Sequence, residues 1–115
     1  MVNLSGMFNP FPGRPPLVGE KVYRVWGGKS GPYGRSWTRA DPRTVPNYRD
    51  AAGLPDTNSR RFLSEGELVN TEGVNATTAS ALDGNQGGLD ELEVPNAETQ
   101  IDFFTIEVLP EPFPF

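Results

Sequence analysis

Apolar residues occur in short groups along the chain, and Gly-rich or Pro-rich stretches separate these groups. Several groups alternate with polar residues or are rich in β-branched and aromatic residues, a pattern typical of strands. The predicted strands span residues 22–26, 35–38, 61–68, 92–95 and 100–109. A short helix is predicted to begin after Pro46, with Asn47 as its N-cap, and to end at Gly53. Together these elements predict an α+β fold that is rich in β-structure and has one or two short helices.

The composition supports a single domain with few regular elements. The chain has 115 residues, of which 36% are apolar, and its 13 Gly and 12 Pro favour turns over long helices. Residues 1–20 are interpreted as an extended Pro/Gly-rich lead-in or linker, because residues 9–16 cannot sustain a helix. Residues 21–115 form the predicted domain, in which residues 70–89 are polar and residues 83–88 are expected to form a long turn.

Two residue types are missing, and each absence excludes a class of chemistry. The chain has no Cys, which excludes disulfides, zinc–thiolate sites and thiol nucleophiles. It has no His, which excludes the serine triad and the common metal sites, so no metal is expected. Catalysis would have to depend on carboxylate, amide, hydroxyl or cationic side chains, and a reactive cofactor that needs only positioning fits that set best.

The net charge limits the kinds of partner that this chain is expected to bind. The formal net charge is −5 and the calculated isoelectric point is about 4.6, which weighs against nucleic acid as the main partner. A local basic patch remains open, because several arginines fall in the first half of the chain: Arg35, Arg39, Arg43, Arg49, Arg60 and Arg61. No apolar run approaches the length of a membrane span, so we expect a soluble protein without a membrane partner.

Residues 23–38 hold the strongest functional signal. Arg24 lies in a short apolar strand pattern beside Val25 and Trp26, where a half-buried cation is costly unless it meets an anion. The glycines that follow leave the backbone open to a ligand that approaches closely, and the spacing is compatible with a phosphate-bearing one. The alternative is an ordinary strand-edge arginine in a surface ion pair.

Four segments carry a resemblance to a known family. They read Tyr-Arg-Val-Trp-Gly-Gly at 23–28, Gly-Arg-Ser-Trp-Thr at 34–38, Asp-Pro-Arg-Thr-Val-Pro-Asn-Tyr-Arg at 41–49 and Asp-Gly-Asn-Gln-Gly-Gly-Leu at 83–89. In this order they resemble the C-terminal toxin domains of Rhs-type polymorphic proteins in the ADP-ribosyltransferase superfamily. Within that group, the chain is most similar to the domain that modifies elongation factor Tu. The resemblance covers about residues 21–103 and implies a split β-sandwich that uses NAD as its substrate.

The resemblance also implies roles for individual residues. Arg24 matches the first-strand arginine that pairs with the NAD diphosphate, a task that suits a planar guanidinium. Ser36 and Thr38 match second-strand positions that hold the nicotinamide ribose and brace the catalytic side chain. Ser36 is otherwise an ordinary strand hydroxyl, and Tyr33 either stacks on nicotinamide or packs in the turn. The neighbouring residues expected to line the NAD site are Val25, Trp26, Gly27 and Trp37.

The predicted late strand departs from the family pattern. Residues 98–100 read Glu-Thr-Gln, where the family carries Glu-x-Glu with its catalytic glutamate in second place. Gln100 can bond the ribose hydroxyl but lacks the charge that would stabilise an oxocarbenium-like transition state. Some secreted NAD-glycohydrolase toxins use Gln in this place. Glu98, on the same predicted face as Gln100 and Asp102, is expected to supply the charge or orient the acceptor, unless these residues form a solvated strand face.

The resemblance implies an antibacterial effector, delivered into the cytoplasm of a target cell, that transfers ADP-ribose to elongation factor Tu and blocks translation. It also implies a cognate immunity protein. The alternatives are a glycohydrolase that depletes NAD and a non-catalytic binding module. A protein target fits the acidic composition better than ribosomal RNA does.

Overall fold

The computed structural model describes residue 11 and residues 13–109 of the chain. These residues form six strands in chain order: β1 (Lys21–Gly28), β2 (Ser36–Trp37), β3 (Asn58–Leu68), β4 (Asn75–Thr78), β5 (Asp90–Glu93) and β6 (Ile101–Val108). Two short α-helices accompany them in this part of the chain, α1 (Tyr48–Ala52) and α2 (Ala97–Gln100). The α+β class with a predominance of β-structure is therefore confirmed.

The strands form two antiparallel sheets that separate from each other along one line. One sheet has the order β1-β3-β6 and the other has the order β2-β5-β4. Within the described residues a single bridge joins the sheets, in which Tyr23 and Thr38 exchange backbone hydrogen bonds of 2.8 and 2.9 Å. Beyond this bridge β1 and β2 diverge, and the divergence opens the space in which the candidate site lies.

Because alternate side chains of β1 point to opposite faces, this strand contributes to two hydrophobic clusters. Val22 points into a cluster with Trp37 and Leu92, whereas Tyr23 and Val25 point to the opposite side, into a cluster with Tyr48 and Leu63 and Leu109. Fully burying a side chain of this size stabilises the fold by roughly 1.5–3 kcal/mol. The side chains of β1 and of its neighbours thus pack the two sheets together.

Helix α1 lies where the sequence predicts it, between Asn47 and Gly53. Its first boundary has a different cause from the expected one, because Asn47 adopts a left-handed conformation and makes no side-chain cap. Gly53 ends the helix with a φ of 59°, and a Cβ there would collide with the carbonyl oxygen of Ser80. That close approach packs the loop before β5 against the helix.

Several predicted boundaries need correction. β5 begins and ends two residues earlier than the predicted strand at 92–95, and β3 begins three residues earlier than the predicted strand at 61–68. β4 and α2 were not predicted. The strand expected from residue 100 begins at Ile101, so that Gln100 belongs to α2.

The predicted lead-in is partly in contact with the domain. Gly19 donates a backbone hydrogen bond to Leu68 at 2.8 Å, and Leu68 donates one to Glu20 at 2.9 Å, which extends the pairing of β3. Residues 1–10 and 12, and residues 110–115 of the predicted domain, lie outside the described residues. Among the residues described, no helix is long and apolar enough to cross a membrane.

Candidate functional site

The divergence of β1 and β2 forms an open cleft of about 490 Å³. Its walls come from β1, β2 and β5, and its floor comes from α1 together with the loops that flank β3 and precede β5. The polar side chains that line it include Arg24, Ser36, Tyr48, Asn58, Glu91 and Glu93. This volume lies within the range of ordinary ligand pockets.

Arg24 lies on the β1 wall with its guanidinium held against the glycine-rich turn. Its Nε donates to the carbonyl oxygen of Gly31 at 2.9 Å, and one Nη donates to that of Ser36 at 3.0 Å. A Cβ on Gly34 would collide with the guanidinium, so the absence of a side chain there makes this position possible. The remaining N–H groups of Arg24 make no bond to any described residue.

No carboxylate of the described residues forms an ion pair with Arg24. Burial lowers the pKa of its guanidinium, yet an arginine stays protonated at physiological pH. Arg24 is therefore a half-buried cation on a cleft wall with N–H donors to spare, which is a favourable arrangement for binding an anionic ligand.

Ser36 faces Arg24's cleft from β2 and is bonded to a carboxylate of β5. Its Oγ donates a hydrogen bond of 2.6 Å to Oε2 of Glu91, which restricts the rotamer of that glutamate. Glu93 follows on the same face of β5, where its Oε1 accepts a hydrogen bond of 3.2 Å from Asn75. Two carboxylates thus line the cleft together, and the one braced by Ser36 is the less exposed.

Tyr48 connects the floor of the cleft to its charged walls. The residue is 4% exposed, and burial raises the pKa of its hydroxyl; the nearby charge of Arg24 opposes that rise, and the charge of Glu91 adds to it. Its hydroxyl therefore stays neutral through the physiological range, as a polar group that is sensitive to both charged side chains.

Five of the residues predicted for the site line this cleft: Arg24, Val25, Ser36, Trp37 and Thr38. Trp37 is buried in the core on the opposite side of β2 from Ser36, as the two-residue period requires. Thr38 accepts a hydrogen bond of 3.1 Å from the amide of Ala40 and pairs with Tyr23, so its position is set by both strands.

Three other predicted NAD-binding residues lie away from the cleft walls. Trp26 stacks on Phe62 with ring centroids 4.4 Å apart, and its Nε1 donates to Ser64 at 2.8 Å. Tyr33 is 55% exposed and meets Phe103 edge-on at 5.6 Å. Gly27 lies at the irregularity between β1 and β3, where a Cβ would collide with Ser59.

Glu98 and Gln100 were expected on a strand facing the ligand, and this placement is wrong. Both lie on α2 and neither lines the cleft. Gln100 is 4% exposed; its Oε1 accepts from the amide of Asn96 at 2.8 Å, while its Nε2 donates to the carbonyl oxygens of Asn70 and Glu72 at 3.0 and 2.8 Å. These bonds use its amide to hold two chain segments together.

The residue that the sequence reasoning missed is Glu91. The signal is present in the sequence, because residues 91–93 read Glu-Leu-Glu, a literal Glu-x-Glu, only a few positions before Glu98 and Gln100. Placing a strand at 92–95 put Glu91 just outside the predicted strand. The observed pairing of Ser36 with Glu93 and of Trp37 with Leu92 brings this pair of glutamates to the serine.

Comparison with known proteins supplies no relative for this chain. No protein-family model matches it, and neither a curated protein nor a solved structure matches it. The case for a function therefore depends on the cleft itself.

Proposed function

We propose that this domain transfers ADP-ribose from NAD to a protein. The observation that carries the proposal is the 2.6 Å hydrogen bond between Ser36 and Glu91, in the same cleft as a cation, Arg24, that has no carboxylate partner among the described residues. An anion-binding group and a braced carboxylate are the two elements that such a reaction needs from a protein without His or Cys.

The arrangement agrees with the pattern of the resembling family at three points. Arg24 lies on the first strand, Ser36 lies on the second, and a Glu-x-Glu segment, Glu91 to Glu93, lies on a late strand beside the serine. This set supports an ADP-ribosyltransferase-like split β-sandwich as the finer description of the fold. It also removes the need to assign catalysis to Gln100.

Each residue would contribute a distinct interaction. Arg24 would bind the diphosphate of NAD through the N–H groups that the turn does not use. Glu91, held by Ser36, would stabilise the positive charge that develops on the ribose, and Glu93 would orient the acceptor. In this reaction the bond from ribose to nicotinamide breaks, its electron pair leaves with nicotinamide, and the acceptor bonds to the ribose carbon and releases its proton.

The first candidate for the acceptor is elongation factor Tu, which would make the domain an antibacterial effector that blocks translation in the cytoplasm of a target cell. A cognate immunity protein would then cover the cleft or the surface that binds the target. The openness of the cleft between the two sheets suits a macromolecular acceptor, because a protein side chain must reach the ribose carbon.

The test is to incubate bacterial cytosol with the purified protein and isotope-labelled NAD, and to measure intact protein masses. We expect one protein to gain the mass of ADP-ribose, and Glu91→Gln to slow this at least 100-fold, within the range seen for lost transition-state electrostatics. Glu98→Gln is the matched control, because Glu98 is an exposed glutamate of α2, and it should retain wild-type activity.

Other outcomes would contradict the proposal in different ways. Stoichiometric loss of NAD without a protein acceptor would replace transfer with hydrolysis as the activity. Equal losses in Glu91→Gln and Glu98→Gln would remove Glu91 from its role. No consumption of NAD and no modified protein would leave a binding module as the better description.

A further inference from the structure

Immediately behind the cleft, a buried ion pair joins the segment that follows β2 to the start of β5. Arg39 donates from Nε to Oδ2 of Asp90 at 3.0 Å and from one Nη to Oδ1 at 2.6 Å, and its backbone amide also donates to Oδ2 at 3.0 Å. The side chains of Arg39 and Asp90 are 1% and 0% exposed. The pair is therefore a fixed, bidentate contact inside the molecule.

The remaining donors of Arg39 are bonded to the segment that precedes β1. One Nη donates to the carbonyl oxygen of Phe11 at 2.8 Å, and the other donates to those of Arg14 and Pro15 at 3.2 and 3.4 Å. The guanidinium also lies 5.5 Å from the centre of the Phe11 ring. Glu20 completes the contact at 3.5 Å from an Nη, so the segment encloses the cation from several directions.

Both members of the ion pair are direct chain neighbours of cleft residues. Asp90 precedes Glu91 on β5, and Arg39 follows Thr38, which pairs with β1. Undocking the segment would replace the carbonyl oxygens of Phe11, Arg14 and Pro15 by water, so that the guanidinium of Arg39 would no longer be fixed from this side. Movement of Arg39 displaces Asp90, and with it the backbone from which Glu91 projects.

We propose that Arg39 and Asp90 are positioning residues that couple the docked segment before β1 to the placement of Glu91 in the cleft. The inference rests on the proposed function for its kinetic consequence, but its structural part is independent of that function. It gives the lead-in a role in the site, so that anything displacing this segment slows the reaction without touching the NAD-binding arginine.

The test weakens docking from the segment side and leaves both charged residues in place. In the double variant Phe11→Ala, Pro15→Gly, the ring over the guanidinium is lost and the undocked segment gains conformational freedom. We expect amide hydrogen exchange in β5 to rise at least tenfold while exchange in β3 changes less than twofold. We also expect kcat for NAD to fall at least fivefold, with KM within twofold of wild type.

Arg39→Lys should reproduce these effects, because lysine keeps the charge facing Asp90 but lacks the fork that reaches the carbonyl oxygens. Arg43→Lys is the matched control, since Arg43 also pairs with carboxylates but lies outside the cleft and bonds no described residue of the lead-in. It should alter neither β5 exchange nor kcat.

If amide hydrogen exchange in β5 is unchanged in the double variant, the proposed coupling is wrong. An equal rise of exchange in β3 and β5 would overturn it as well, because the segment would then be a brace for the whole fold. If wild type consumes no NAD but β5 responds selectively, the proposed function fails and the coupling stands.

Discussion

Arg24 on the cleft wall and Arg39 behind the cleft use their N–H donors in opposite ways. Arg39 lies behind β5 with its guanidinium bonded to Asp90 and to three backbone carbonyl oxygens. Arg24 lies on the cleft wall, bonded to two carbonyl oxygens and to no carboxylate of the described residues. The same type of side chain thus makes a structural contact at Arg39 and offers an available binding group at Arg24.

The electrostatic environments follow the same division. The hydrogen bonds to Asp90 raise the pKa of Arg39 despite its burial, whereas burial lowers the pKa of Arg24. The fold tolerates Arg24 in a position where no carboxylate of the described residues matches its charge, which is the expected condition of a site that an anion fills. A buried arginine therefore indicates a binding function only when some of its N–H donors have no partner within the fold.

Truncating each arginine tests this difference most directly. Arg39→Ala leaves Asp90 buried without its partner and should lower the free energy of unfolding by about 3–5 kcal/mol. Arg24→Ala removes hydrogen bonds to the carbonyl oxygens of Gly31 and Ser36 and leaves no charge unpaired, and should cost about 1 kcal/mol. Urea unfolding at neutral pH measures both values. Equal losses would mean that Arg24 is as structural as Arg39.

Gln100 extends the comparison to a residue that the sequence assigned to catalysis. Gln100→Ala leaves the amide of Asn96 and the carbonyl oxygen of Glu72 without their partner and should lower stability by about 2–3 kcal/mol. The NAD turnover of the folded fraction should stay within twofold of wild type, since Gln100 does not line the cleft. Calorimetry and initial rates separate the two effects. A variant that is stable but inactive would restore Gln100 to the site.

Arg24→Lys sharpens the assignment of the anion. Lysine keeps the charge but not the planar fork, so KM for NAD should rise about tenfold, which corresponds to about 1.4 kcal/mol. The melting temperature should change little, because lysine can still reach one carbonyl oxygen of the turn. Initial rates across a range of NAD concentrations give the result. An unchanged KM would argue that the diphosphate binds elsewhere.

The elements that the sequence predicted well are those whose own residues carry the signal. Alternation around Val22 and Val25 marks β1, and Gly53 marks the end of α1. β4 was missed because Asn75–Thr78 contains no large apolar residue, so its strand character comes from pairing with β5. α2 is a single turn that Gln100 stabilises through Asn96, a contact that no periodicity indicates.

The residues of the site also differ in whether their own segment of the sequence reveals them or only strand pairing does. Arg24 and Ser36 lie close in sequence; Arg24 carries a local signal, and Ser36 is assigned through the family resemblance of its segment. Glu91 is 55 positions from Ser36, and only the register of β2 on β5 brings the two together. That register depends on which face of β5 carries Leu92 into the core, where Leu92 packs with Trp37 and Val22. Sequence patterns select strands well and strand partners poorly.

Arg43 adds a third arginine to the comparison, and its effect should be the smallest. It pairs with Asp41 at 2.9 Å at the surface, away from the cleft. Burial alone would raise the pKa of Asp41, but the hydrogen bonds and charge of Arg43 outweigh it and hold this pKa below its usual value. A lowered folded-state pKa stabilises the fold above the unfolded-state value of about 3.9, and this stabilisation is lost as the pH falls through the folded-state value.

Asp41→Asn keeps the side-chain acceptor that caps the turn at Arg43 and removes only the charge. Because the pair is partly exposed and screened, the variant should lose about 0.5 kcal/mol at pH 7. That difference from wild type should vanish below the folded-state pKa of Asp41, where the carboxyl is neutral in both states. Urea unfolding at pH 7 and at a series of acidic pH values measures how this difference declines. A loss at pH 7 as large as that of Arg39→Ala would mean that exposure does not distinguish the arginines, and the division between Arg24 and Arg39 would then need another cause.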